Sequence, residues 1–163
     1  MNALAPNQRL ISLAAGVVQE FPAEDVVYAA AKALEVVNDV AHPAGGILID
    51  SLHLQRTGSS VQDIVELSRR KPESTSQADT RLLPYFQLCD ASKNLEDQSI
   101  EGILEDALFL RQLLGDGQLP LKETLEAVGP NMPLSLEIRS RALIEQYPNL
   151  QDRANAVFSS SIQ

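Results

Sequence analysis

Gly45-Gly46-Ile47-Leu48-Ile49-Asp50-Ser51-Leu52-His53 puts two glycines, three aliphatic residues, a carboxylate and an imidazole into nine positions. Ile47, Leu48 and Ile49 make an uninterrupted apolar run, which fits a parallel strand covered on both faces better than a half-exposed one. Asp50 then stands at the carboxyl end of that strand, where α/β sheets and barrels keep their active sites. A plainer role is also open to it, because an Asp at a strand end is often the cap of the helix or turn that follows. His53 can likewise be read as a satisfied core residue.

Upstream, Ile11 to Phe21 is apolar and then β-branched. Its second half is expected to be a strand ending at Glu20, although Leu13-Ala14-Ala15 suits a helix equally well. Pro22 breaks the element, and Val26, Val27, Ala30, Ala33, Leu34 and Val37 recur at helical spacing behind Glu24-Asp25, so a helix is expected over 24–40. His42-Pro43-Ala44-Gly45 stops it. Downstream, residues 56–60 read as a loop, Ser60 to Lys71 as a short helix with its basic residues at the dipole's negative end, and 72–80 as a polar loop. Leu82 to Cys89 is strand-like, with Tyr85, Gln87 and Cys89 on one face by period two.

Leu95 to Leu114 carries Ile100, Ile103, Leu104, Ala107, Leu108, Leu110 and Leu114 at helical spacing, which predicts a long amphipathic helix with that stripe inward. Gly115-Asp116-Gly117 ends it. A short helix over 121–128, a fourth strand over 134–138 and helices over 141–146 and 150–158 complete the chain. The rhythm of strand and helix, four times over, predicts a parallel α/β fold in a single domain spanning residues 1–163.

Composition narrows the function classes. With 163 residues and 44% hydrophobic content, one sizeable core is affordable. A net charge of −9 argues against nonspecific binding to nucleic acid or an anionic membrane, and an aromatic content of 4% without tryptophan argues against base-stacking platforms. No run approaches the ~20 apolar residues of a membrane span, and the N-terminus lacks the pattern of a signal peptide. The lone Cys89 excludes an intramolecular disulfide, so a reducing, cytoplasmic setting is expected. Nothing points to an activated thiol there, and Cys89 reads as packing.

The four expected strand ends carry Glu20, Asp50, Gln87 and Glu137, one oxygen-bearing side chain per strand. Three carboxylates converging at the mouth of a parallel sheet repel one another, and a divalent cation resolves the conflict. Four oxygen donors suit Mg²⁺ or Mn²⁺, with Co²⁺ also accommodated, and match a structural zinc site poorly. The alternative is four unrelated strand-end caps and a binding or structural protein without metal.

These residues resemble the xylose isomerase-like TIM barrels, the sugar phosphate isomerase/epimerase family. The likeness is to the second half of that barrel. Gln19-Glu20-Phe21 corresponds to the fifth strand, Gly46 to His53 to the sixth, Tyr85 to Ala91 to the seventh and Leu134 to Ile138 to the eighth, with Arg111-Gln112-Leu113-Leu114-Gly115-Asp116-Gly117 before the last. The resemblance implies Glu20, Asp50, Gln87 and Glu137 as ligands of one divalent metal. It implies His53 as a substrate or proton-transfer residue and Glu20 and Glu137 as base and acid. Arg111 and Arg139 are each read as a substrate contact or, alternatively, as a helix-end charge and a surface residue. The reaction implied is proton abstraction next to the carbonyl of a sugar or cyclic hydroxyketone. Gln87 stands where many epimerases have His and is more like the 3-dehydroshikimate dehydratases, which makes a lyase the alternative; Leu114 replaces an expected proline. Four strands are half of a barrel of ~250 residues. Three arrangements follow: a fragment that needs a separate N-terminal half, a homodimer that rebuilds a barrel, or a noncatalytic remnant.

Overall fold

The strand over 45–50 forms and lies at the centre of the sheet. The computed structural model describes residues 11–14, 29–42, 45–69 and 82–161. In chain order these make β1 (Ile11–Ala14), α1 (Ala29–Val40), β2 (Gly45–Asp50), α2 (Ser51–Arg56), α3 (Val61–Arg69), β3 (Phe86–Leu88), α4 (Ile100–Phe109), α5 (Leu121–Val128), β4 (Leu134–Leu136), α6 (Arg141–Gln146) and α7 (Leu150–Ser160). The strands pair in the order β1-β2-β3-β4, all parallel. Parallel neighbours need crossover connections, and helices supply them. Among the described residues no helix is long and apolar enough to cross a membrane.

Alternation along the strands sorts the side chains onto two faces. Ile47 and Ile49 of β2 join Phe86 and Leu88 of β3 in one core, closed by Ala33 and Val37 from α1 and by Ile64 and Leu67 from α3. Phe86 is 1% exposed, and full burial of such a side chain contributes about 1.5–3 kcal/mol. Leu48, Asp50 and Gln87 alternate to the opposite face, where Asp50 is in register with Gln87 and Gln87 with Ser135. Gly46 lets β2 approach the segment that leads into β3: a Cβ there would lie 3.1 Å from Pro84 Cδ and 3.2 Å from the Leu82 carbonyl oxygen.

Several expectations shift. The strand ending at Glu20 and the first turn of the helix over 24–40 fall outside the described residues, as does the loop over 72–80. Within the described part, β1 is Ile11–Ala14, paired to Gly45–Leu48. The strand expected over 82–89 is confined to Phe86–Leu88, because Pro84 has no N–H to give a ladder; Ile47 N–H still donates to the Leu82 carbonyl at 2.8 Å. The strand expected over 134–138 is confined to Leu134–Leu136. A helix not expected from the sequence, α2, follows β2 directly.

The largest correction is α4. It covers Ile100–Phe109 rather than 95–114, starting where Ser99 Oγ accepts the Gly102 N–H at 3.1 Å. It stops where Leu110 bridges to Ser140. Its inward residues are Gly102 and Asp106, and Ile100, Leu104 and Leu108 of the predicted stripe are 65, 42 and 36% exposed. Asp106 turns inward to meet Arg56 in an ion pair.

Candidate functional site at the strand ends

Asp50 is 2% exposed and both its oxygens are engaged. Oδ1 accepts the N–H groups of Leu52 at 2.9 Å and His53 at 3.1 Å, which makes Asp50 the N-cap of α2 and satisfies two of that helix's orphan donors. Ser51 pins the same junction to the neighbouring strand: its Oγ donates to the Cys89 carbonyl at 2.8 Å and accepts the Cys89 N–H at 2.9 Å. The capping role open to Asp50 from sequence is therefore realised.

Oδ2 of Asp50 accepts a hydrogen bond from Arg111 Nη1 at 2.7 Å. Arg111 is 2% exposed. Its Nε donates to the Ala107 carbonyl at 2.9 Å and its Nη1 also reaches Cys89 Sγ at 3.3 Å. Burial is the largest single influence and works against the guanidinium's charge, but Asp50, Cys89 and Glu137 together outweigh it and Arg111's pKa is raised. The Cys89 thiol, fully buried, is pushed up by desolvation, with Arg111 opposing only in part. It is a protonated packing residue, as expected from sequence.

Gln87 and Glu137 complete the row. Gln87 is half-buried in register with Asp50, and Glu137 lies two residues past Ser135, which is in register with Gln87. Glu137 follows β4, its N–H donating to the Leu88 carbonyl at 2.9 Å, so the ladder carries on one rung beyond the strand. His53 sits one turn into α2. Burial holds its imidazole below the usual 6.5; Asp50, Glu137 and Asp106 oppose this and Arg111 adds to it. Arg139 is exposed, and its carbonyl accepts the Arg111 backbone N–H at 3.1 Å. Glu20 lies outside the described residues.

The lowered His53 pKa makes stability depend on pH. The unfolded chain takes up a proton on this imidazole near its ordinary value and the fold only at lower pH, so acidification favours the unfolded chain. Urea unfolding midpoints should fall from about pH 7.5 to about pH 5.5, and the fall should be smaller in His53→Gln. An identical pH dependence in the two proteins would show that His53 is not its source.

The described arrangement has counterparts among solved structures. A crystal structure of IolI protein with a binding zinc atom superposes with a TM-score of 0.56 at 24% identity, covering 81% of this chain and 41% of that one. A xylose isomerase-like TIM barrel/4-hydroxyphenylpyruvate dioxygenase fusion protein superposes with a TM-score of 0.55 at 23% identity, covering 78% of this chain and 18% of that one. The fold is that of part of a TIM barrel. The chain thus spans less than half the length of either protein. No family model matches the sequence, and no curated protein matches it.

On this part of a barrel, two polar supports were not found from sequence. Asp90, 3% exposed, accepts the N–H groups of Ala91 at 2.9 Å, Leu119 at 3.0 Å and Gly115 at 3.1 Å. It thereby folds the 112–119 loop against the strand end. Gly117 is required there, since any Cβ would collide with Ala91 and Asp90. Arg56 is the second support. Its Nε donates to Asp106 Oδ2 at 2.7 Å and its Nη2 to Oδ1 at 3.2 Å, while Nη1 and Nη2 also hold the carbonyls of Lys93 and Ser92. Only the loop chemistry of Gly115-Asp116-Gly117 signalled either in advance.

Asp50, Gln87 and Glu137 are hard oxygen donors brought to one face of adjacent strands, which fits Mg²⁺ or Mn²⁺ in ligand type. Among the described residues no group of three His, Cys, Asp or Glu side chains stands ready to hold an ion. The donor chemistry fits; Asp50, however, is already held by Arg111.

Proposed function

We propose that this chain supplies part of the active site of a divalent-metal-dependent isomerase or epimerase acting on a sugar, sugar phosphate or related hydroxyketone. The observation that carries the reading is the in-register row of Asp50 and Gln87, with Glu137 one step beyond on the same face and His53 one helical turn from Asp50. Asp50, Gln87 and Glu137, with Glu20, would hold the ion. Oxygen-only ligands favour Mg²⁺ or Mn²⁺ over zinc, and the zinc of the IolI structure supports a divalent ion of some kind. Bound there, the ion would polarise the substrate carbonyl and so acidify the adjacent C–H.

The chain's own residues then move the proton. Glu137 takes or returns it on one side of the substrate and Glu20 on the other. His53, kept neutral at pH 7 by burial, accepts or donates a proton at a substrate hydroxyl. Arg111 Nη2 would contact a substrate oxygen. Arg139 at the rim is a further contact for an anionic group. A dehydratase outcome is the second reading, favoured by Gln87, whose neutral amide adds no charge to the set. The remaining barrel strands would come from a second copy or another polypeptide segment, joined at β4, where Leu134 is 51% exposed.

The test is hydrogen exchange. The full chain is incubated in D₂O with Mn²⁺ and a panel of ketoses, aldoses and cyclic hydroxyketones, and deuterium next to each carbonyl is followed by NMR. Exchange on at least one compound is expected, lost with chelator and reduced at least about 100-fold in Glu137→Gln. Absence of Mn²⁺-dependent exchange on every compound would remove the enzyme reading.

A further inference from the structure

We propose that Arg111 and a divalent cation are alternative occupants of the Asp50 carboxylate, so that the metal site opens only when the guanidinium leaves. The inference rests on the metal-site reading above and adds to it a residue of this chain that competes for a ligand.

The geometry leaves little room for sharing. Asp50 Oδ1 is used by two backbone N–H groups that hold α2 in place, at 2.9 and 3.1 Å. Oδ2 is therefore the oxygen a cation must take, and it already receives Arg111 Nη1 at 2.7 Å. A metal–oxygen distance of about 2.1 Å added to that hydrogen bond puts the two cations no more than about 5 Å apart. A monovalent and a divalent charge so placed repel strongly, because water is excluded from a pair whose side chains are 3 and 2% exposed.

Arg111 is also built to hold its position without the ion. Its Nε–H is fixed on Ala107 O at 2.9 Å, one turn back at the end of α4. Its own N–H is fixed on Arg139 O at 3.1 Å, and Gln112 next to it exchanges backbone bonds with Asp90 at 2.8 and 3.1 Å. The guanidinium is therefore delivered to Asp50 by a rigid corner rather than by a free surface side chain.

The test is Mn²⁺ binding by the full chain, read by titration calorimetry and by the loss of the free Mn²⁺ electron paramagnetic signal. Arg111→Gln should bind Mn²⁺ at least about 10-fold more tightly than the wild type, with Arg111→Lys closer to wild type because it keeps the charge. The gain should vanish in Asp50→Asn/Arg111→Gln. Equal or weaker binding by Arg111→Gln, with Asp50-dependent binding in the wild type, overturns the competition and leaves the metal site standing. Absence of Asp50-dependent binding in both proteins overturns the metal-site reading itself, and the competition with it. Should Arg111→Gln fail to fold, the wild type alone decides: Mg²⁺ must shift the ¹⁵N–¹H resonance of Arg111 Nε at saturation, and an unmoved resonance overturns the proposal.

Discussion

Asp50→Ala is expected to lower the free energy of unfolding by about 3–5 kcal/mol, the range for breaking one side of a buried ion pair. The substitution removes the cap of α2, leaves the Leu52 and His53 N–H groups without their acceptor, and strands Arg111 in a site from which water is excluded. The stranded charge is the largest of these effects, because the guanidinium cannot shed its proton. Urea or guanidinium unfolding followed by circular dichroism measures it. Asp50→Asn, which keeps an oxygen for the cap, should lose less than Asp50→Ala. Arg111→Met combined with Asp50→Asn should lose less than the sum of the two single changes, since two polar groups leave together. Strict additivity would mean that the 2.7 Å contact is not an energetic coupling.

Arg56→Ala should cost a comparable amount, about 3–5 kcal/mol, for the same reason seen from the other charge. Asp106 has a side chain 4% exposed and no basic partner other than Arg56 among the described ion pairs. Losing Arg56 also removes a donor from the carbonyls of Ser92 and Lys93, which begin the connection to α4, although Gln55 Nε2 still donates to Lys93 at 3.3 Å. The expected readouts are a lower unfolding midpoint and faster amide hydrogen exchange along residues 92–109. Arg56→Lys should rescue only in part, because an ammonium cannot make the two-pronged contact to Oδ1 and Oδ2. If Arg56→Ala left both readouts unchanged, α4 would be held by something other than this pair.

Neither effect was visible in the sequence, and α4 shows why. Read by periodicity, residues 95–114 offer one strong apolar stripe, and a helix normally buries its stripe. Gly102 and Asp106 nevertheless face inward and Ile100 faces out. The periodicity of a helix names its two faces but not which one meets the protein when a buried salt bridge competes with apolar area. The short helices α5 and α6, in contrast, match their expected bounds of 121–128 and 141–146. Each is bounded by a local signal: Gly129-Pro130 closes α5, and Ser140 Oγ caps α6 by accepting the Leu143 N–H at 3.2 Å. The exposed Ile144, 54% accessible, shows that burial of such a helix still escapes local reading.

The candidate site divides along the same line. That Asp50 ends a buried strand, that Gln87 lies on the next and Glu137 just past the one after, and that the strands run parallel followed from apolar runs, alternation and turn residues, all of which act within a few positions of themselves. The partner of Asp50 did not. Arg111 lies 61 residues further along the chain, at the end of a helix whose rotation is set by Asp106 and behind a loop folded by Asp90. No local pattern carries a contact of that range. The sequence alone determined that Asp50 closes a buried strand and that the strands run parallel. Only the tertiary structure decided that the cation meeting Asp50 is a guanidinium of the chain itself, because that pairing depends on how separate elements pack and on the exclusion of water between them.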